Sequence, residues 1–185
     1  KYFKYKDLRL LPRPVQKPCP PKWSTVVSED SARRAARRRS KICTGFTSTA
    51  QVKKVFDAYR DEMNASGGSN GGDLGLRRRV IIAESETHAS EMTQSAMDRY
   101  KSFVANDSRM KFSHVPDSPE KGGGGFSVSD DEFISGTPSQ VAEKIIEQCR
   151  ITGAQNFLAV LHWGAMLDEV RAAHELFGKA VIPVL

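Results

Sequence analysis

Along this chain, short apolar runs alternate with stretches of helical period. Lys22–Val27 (KWSTVV) is a β-branched and aromatic run that predicts a strand. Ser28–Arg39 follows as a helix, with Ser28 at the N-cap and Glu29 and Asp30 in the first turn. Ile42–Phe46 predicts a second strand. Over Thr47–Asn64, the residues Val52, Val55, Phe56, Tyr59 and Met63 recur at helical spacing. Ser66–Gly75 (SGGSNGGDLG) reads as a loop. Arg79–Ala83 (RVIIA) predicts a strand buried on both faces. Glu86–Asn106 predicts a helix packing Ala89, Met92, Ala96, Tyr100 and Phe103. A long polar insertion covers 107–132. Thr137-Pro138-Ser139-Gln140 combines a capping box with proline at the first helical position. The helix it opens carries Val141, Ile145 and Cys149 and stops at Gly153. Phe157–His162 (FLAVLH) predicts another buried strand. A last helix runs from Leu167 to Phe177, and VIPVL closes the chain.

Four strand–helix repeats in a row argue for an α/β fold with a parallel sheet and helices outside it, in a single domain over 1–185. A (β/α)8 TIM-type barrel typically takes about 250 residues. With 185 residues and four units, the chain is either a small open sheet or the second half of such a barrel.

Composition narrows the class. A chain 39% hydrophobic and 27% charged is ordinary globular material, which excludes disordered, collagenous and coiled-coil classes. No apolar run approaches the roughly 20 residues of a membrane span, so no membrane role is expected. The opening KYFKYKDLRL is no signal peptide. With no methionine first, the chain is expected to begin inside a longer product or to have been processed. Cys19, Cys43 and Cys149 are odd in number, scattered and without zinc-ligand spacing. Reduced thiols in a cytoplasmic protein with no metal site are the simplest account.

Charge is uneven. Residues 1–60 carry 16 Lys/Arg and 4 Asp/Glu, a balance of +12, whereas 61–185 carry 12 and 18, a balance of −6. The basic half invites an anionic partner. Its densest cluster, Ser31–Arg39, places Arg33/Arg37 and Arg34/Arg38 four apart on one side and Ala32, Ala35 and Ala36 on the other. That is the pattern of a solvated helix face. No aromatic residue or reading motif interleaves it, which counts against nucleic acid.

Two regions separate the open sheet from the half-barrel. The first is Pro12-Arg-Pro-Val-Gln-Lys-Pro-Cys-Pro-Pro-Lys-Trp23. The second comprises Gly136-Thr-Pro-Ser-Gln-Val-Ala142, Phe157-Leu-Ala-Val-Leu-His-Trp-Gly164, and Leu176-Phe177 with Val181-Ile182-Pro183. The first resembles the proline-rich entry to the fifth strand of the luciferase-like monooxygenases, the bacterial luciferase superfamily. The second resembles that family's helix start, eighth strand and closing segment. The resemblance covers Pro12 to the C-terminus. It implies the second half of a (β/α)8 barrel that holds reduced flavin, FMN in most branches and the deazaflavin F420 in some. It also implies O2 and a small organic molecule as substrates. Strands one to four, with their active-site residues, are missing. The partner is then either that missing N-terminal half or another copy in a homo-oligomer.

Candidate site residues follow from the strand ends. Barrel active sites sit at the C-terminal ends of the strands, and a helix N-terminus there binds anions. That singles out Val27, Ser28, Glu29 and Ser31. The resemblance implies that hydroxyls at matching positions contact the flavin phosphate. Ser28 also reads simply as a helix cap, and Glu29 and Asp30 would repel a phosphate unless they point away. His162 and Trp163 close the last strand, where an imidazole and an indole would line a flavin or substrate pocket, although a histidine ending a strand also reads as simply structural. Glu84 and Ser85 leave the RVIIA strand at the same rim. No catalytic residue is assigned, and His162 is the one side chain to which such a role would fall. Met166 stands about where some family members carry a histidine. Cys19 replaces a histidine frequent in the proline-rich motif and is expected to pack inertly. The Lys121–Gly125 run lacks phosphate-loop spacing and reads as linker or lid.

A flavin-dependent monooxygenase fragment is therefore the first reading. The alternative is a non-catalytic flavin-binding or half-barrel remnant that associates with another chain. A basic nucleic-acid-binding module is the remote one.

Overall fold

A computed structural model describes residues 3–9, 11–45, 47–68, 73–106, 130–162 and 165–185. The elements are β1 (Trp23–Thr25), α1 (Glu29–Arg37), β2 (Lys41–Thr44), α2 (Thr49–Ala65), β3 (Leu74–Ile82), α3 (Glu86–Asn106), β4 (Phe133–Gly136), α4 (Pro138–Thr152), β5 (Asn156–Val160) and α5 (Leu167–Leu176). A π turn (Phe177–Val181) and a 3-10 turn (Ile182–Val184) end the chain. Every strand pair is parallel, as strand–helix repeats require.

Strand β3 is the axis of the sheet. Its first half pairs with β2 through Ile42↔Leu74 to Thr44↔Leu76. Its second half pairs with β4 through Arg79↔Phe133 to Ile82↔Gly136. Strand β5 pairs with Gly75 to Arg79. Gly75 has both Cys43 and Asn156 as partners, and Arg79 has both Phe133 and Val160. A strand has two edges, so β2 and β4 share one and β5 takes the other. The path β1–β2–β3–β5 is thus continuous, and β4 forks in beside the upper end of β3.

Alternation of side chains gives the sheet two unlike faces. Val26, Ile42, Leu74 and Leu76 bury against α1 and α2, with Val52, Val55 and Phe56. Val80, Ile82 and Ile134 bury against α4 and α5, with Val141, Ile145 and Ala173. The opposite, inner face carries Trp23, Cys43, Gly75, Arg77 and Leu158. Trp23 is 46% exposed and Leu158 40%. Helices cover the outer face along the whole path, and the inner face is left open over β1, β2 and the lower halves of β3 and β5.

Several elements depart from the sequence expectation. The β3 strand starts five residues before Arg79, inside the segment read as loop, because Leu74 and Leu76 insert into the α1–α2 core. The strand β4 was not foreseen. Phe157–His162 was expected to be buried, but Leu158 faces the open side. Cys19 is exposed rather than packed. Of the polar insertion at 107–132, only Asp130–Glu132 falls among the described residues, as a 3-10 turn; Lys121–Gly125 lies outside them, as do Phe46 and the side chains of Tyr100 and Phe103. Among the described residues, no helix is long and apolar enough to cross a membrane.

Tyr59 of α2 locks the basal end of the sheet. Its hydroxyl donates to the Ser40 carbonyl at 3.1 Å and lies 3.5 Å from Asp73 Oδ2. Burial, with the Asp73 carboxylate adding to it, pushes the phenol from its ordinary 10.0 up to about 12. The fold therefore favours the neutral phenol. That contribution is complete below pH 10 and is lost as pH rises toward 12. Chemical denaturation across this window should show Tyr59→Phe losing less stability with rising pH than the parent does.

Candidate functional site

Each strand delivers its following loop to the same end of the sheet, because the five strands among the described residues are parallel. Val27 and Ser28 leave β1 there, Gly45 leaves β2, Ala83 to Ser85 leave β3, Thr137 leaves β4, and Leu161 and His162 leave β5. The expected rim set of Ser28, Glu84 and His162 thus shares one end of the sheet. Within it, Val27, Ser28, Glu29 and Ser31 cluster at the start of α1, while Glu84 and His162 stand apart on other strands. Trp163 and Gly164 lie outside the described residues.

The α1 start is a closed knot of hydroxyls. Ser28 adopts extended φ/ψ, and its Oγ accepts from Ser31 N–H at 3.2 Å. Ser31 Oγ reciprocates, accepting from Ser28 N–H at 3.1 Å and Val27 N–H at 3.2 Å. This is a capping box with serine in place of the usual glutamate. The first helical bond is Ala32 N–H to Ser28 C=O. The amides of Glu29 and Asp30 precede it and point out of the helix end, toward the rim. The acidic side chains that would repel an anion there are engaged behind it: Glu29 with Arg33 at 3.6 Å, and Asp30 with Arg34. Arg33 and Arg34 of the cluster therefore act locally, each pairing with a first-turn carboxylate, which a count of charges does not reveal. Arg37 reaches Glu62 of α2 at 2.8 Å and holds that carboxyl below its ordinary range.

His162 lies on the inner face by its alternation with Leu158 and Val160, and it is exposed. Glu84 and Val27 are exposed as well. On the inner face below the rim, burial pushes the Cys43 thiol up, with Arg77 opposing it, so this sulfur stays protonated and unreactive near neutral pH. Two inner-face cations carry their own counter-charges. Lys41 lies 3.7 Å from Asp73 and 5.6 Å over the Trp23 ring, and Arg79 lies 3.4 Å from Glu132.

The residues that shape the rim most were missed by sequence reasoning. Arg78 is fully buried on the outer face. Its Nε donates to Gln148 Oε1 at 2.7 Å, Nη1 to the carbonyls of Gly45 and Thr47 at 3.3 and 3.2 Å, and Nη2 to Thr49 Oγ1 at 3.2 Å. One guanidinium thus ties the β2–α2 loop to α4. Asp131 Oδ2 accepts from Thr49 N–H at 2.9 Å and so caps α2 from 82 residues away. The signal was the Arg77-Arg78-Arg79 run itself: three cations inside a strand must find partners.

The model of the family described as luciferase-like monooxygenase matches residues 1–156. Over 168 residues the chain is 26% identical to an uncharacterized protein, y4wF, of Sinorhizobium fredii, covering 88% of this chain and 48% of that one. Over 197 aligned positions it is 22% identical to the FMNH2-dependent dimethylsulfone monooxygenase of Pseudomonas putida, covering 100% of this chain and 51% of that one. The chain thus spans about half the length of the curated relatives it matches. Among solved structures, monooxygenase RslO1 from Streptomyces bottropensis superimposes with a TM-score of 0.76 at 20% identity, over 99% of this chain and 54% of that one.

Proposed function

The chain belongs to the luciferase-like monooxygenase family, and from that premise we propose that it forms the flavin-phosphate side of a reduced-flavin monooxygenase site, completed when its sheet closes into a barrel. Members of the family use FMNH2 or F420. The dimethylsulfone monooxygenase relative is FMNH2-dependent, which supports FMNH2 as the cofactor of this reading, with O2 and a small organic molecule as substrates. The observation that carries the reading is the α1 start: two outward amides, a positive helix end and carboxylates held in ion pairs at the rim of the sheet. That donor set fits a phosphate dianion.

Bound reduced flavin supplies the electrons for O2 activation. The chain's own part is to bind and to shield. Glu29 and Asp30 N–H donate to the phosphate, with Ser28 and Ser31 holding the turn that aims them. The inner face around Leu158 and Trp23 supplies apolar wall that excludes water once it is covered. His162, on that face at the rim, would donate a hydrogen bond to ring or substrate. A non-catalytic flavin carrier would use the same α1 start, and it differs only in lacking turnover.

The test is an anaerobic titration of the chain with dithionite-reduced FMN and, in parallel, with riboflavin, which lacks the phosphate. FMN is expected to bind the tighter of the two. Ser28→Ala should weaken FMN about tenfold while leaving riboflavin unchanged, and should cost about 1 kcal/mol of stability as a lost cap. Equal loss for both ligands, or none for either, removes the phosphate from this turn.

A further inference from the structure

We infer that the cavity between α3, α5 and the last residues of β3 is a binding site for one small apolar gas molecule, and that the gas it takes is dioxygen. The site itself stands apart from flavin binding. Its use in oxygenation rests on the flavin reading above.

The cavity arises because β3 outruns β5. Pairing between them stops at Arg79↔Val160, whereas β3 continues to Ile82 beside β4. Two helices flank the end of β3, one on each face of the sheet. Ile81 and Ser135 are register partners and share a face. Thr93 Oγ1 of α3 stands 2.7 Å from Ser135 Oγ, so α3 covers that face here. Val80 and Ile82 point the other way, into the cluster that holds Leu161 and Ala173 of α5. The two helices meet beyond the strand through Arg99 and Glu169, 3.5 Å apart.

Between them lies a cavity that leaves about 10 Å³ of freedom to the centre of a water-sized molecule, room for one small guest. Ile81, Met92 and Ala96 line it from the α3 side, and Ile82, Leu161 and Ala173 from the α5 side. All of these except Met92 are buried. The charged side chains of the lining are Arg99 and Glu169, and both are engaged. Arg99 Nη1 donates to Ser95 Oγ at 2.9 Å, and Glu169 Oε2 accepts from Met166 N–H at 2.6 Å.

Size and lining together select the guest. A buried water makes two to four hydrogen bonds, whereas cavities with aliphatic walls stay dry and admit apolar guests such as xenon. Dioxygen is apolar, has two atoms and is a substrate of flavin oxygenation. The cavity reaches Ile82, and the rim begins at the next residue, Ala83. Two heavy atoms limit the affinity to the millimolar range at best. Such a site fills in proportion to dissolved gas and releases it readily.

Methyl NMR of the labelled, flavin-free chain under xenon pressure, and then under O2 pressure, tests this. Saturable shifts are expected at the Ile81, Ile82, Leu161 and Ala96 methyls with xenon, and paramagnetic broadening of the same methyls with O2. Ala96→Val and Ala173→Val grow into the cavity from opposite helices. Each should abolish both responses while the α1–α2 core resonances stay in place. No response at these methyls, a response that survives both substitutions, or a bound water giving cross-peaks to them under xenon overturns the site. Failure of the FMN titration with the xenon response intact would remove the flavin reading and leave the cavity. FMN binding without a xenon response would remove the cavity alone.

Discussion

Replacing Arg78 by methionine is expected to destabilise the fold by about 3 kcal/mol. Methionine reproduces the aliphatic stem but not the guanidinium, so packing along the stem is kept and the loss is chiefly one of hydrogen bonds. Gln148 Oε1, the Gly45 and Thr47 carbonyls and Thr49 Oγ1 lose their donor together. Buried acceptors left without partners cost about 1–3 kcal/mol each, and exposure of the loop to water recovers part of that. Burial pulls the guanidinium below its ordinary value, while the Glu132 and Asp131 carboxylates oppose that pull. Arg78→Lys keeps the charge but has too few donors in too compact a head to serve both loop and α4. It should recover less than half of the loss. Urea denaturation of the three proteins measures both. A loss under 1 kcal/mol for Arg78→Met would show that the loop holds itself.

Gly45→Ala is expected to have a comparable effect by a different route. A Cβ at Gly45 would overlap the Arg77 carbonyl oxygen and stand 2.7 Å from its carbon. Backbone cannot swing aside as a side-chain tip can, so β2 and β3 would have to part. Overpacking of this kind costs about 1–3 kcal/mol or more, here at the lip of the rim and next to the Arg78 acceptors. Because Gly45 and Arg78 share that contact, the double variant should lose less than the sum of the two single losses. Additive losses would contradict the shared network.

How far the sequence reached depends on whether a residue's partner is local. The capping signal at Ser28 and the stop at Gly153 (φ +70) are local, and both stand in the structure. The helix at Glu86–Asn106 was legible to the residue from its period. By contrast, Leu74–Arg78 was hidden, because a glycine-rich loop runs into it and arginines interrupt its hydrophobicity; α4 and the β2–α2 loop make the Arg78 charge tolerable, and Glu132 does so for Arg79. Phe133–Gly136 is four residues long, and its pairing with the far end of β3 is not local. Leu158 looked buried because its run is apolar. Its exposure follows from the face of β5 it stands on, opposite Arg77, which the apolar run alone does not set. For the site, the hydroxyls could be found from the helix start. The ion pairs that silence Glu29 and Asp30 could have been inferred from i,i+4 spacing.

The central claim is that reduced flavin binds at the C-terminal strand ends, with its phosphate on the α1 start. Amide NMR of the isotopically labelled chain, with and without reduced FMN under anaerobic conditions, tests it most directly. The account predicts the largest shifts at Ser28 to Ser31, with further shifts at Ala83 to Ser85 and at His162. Shifts confined to the opposite end of the sheet, at Lys22, Lys41, Asp73 and Gln155, would contradict it.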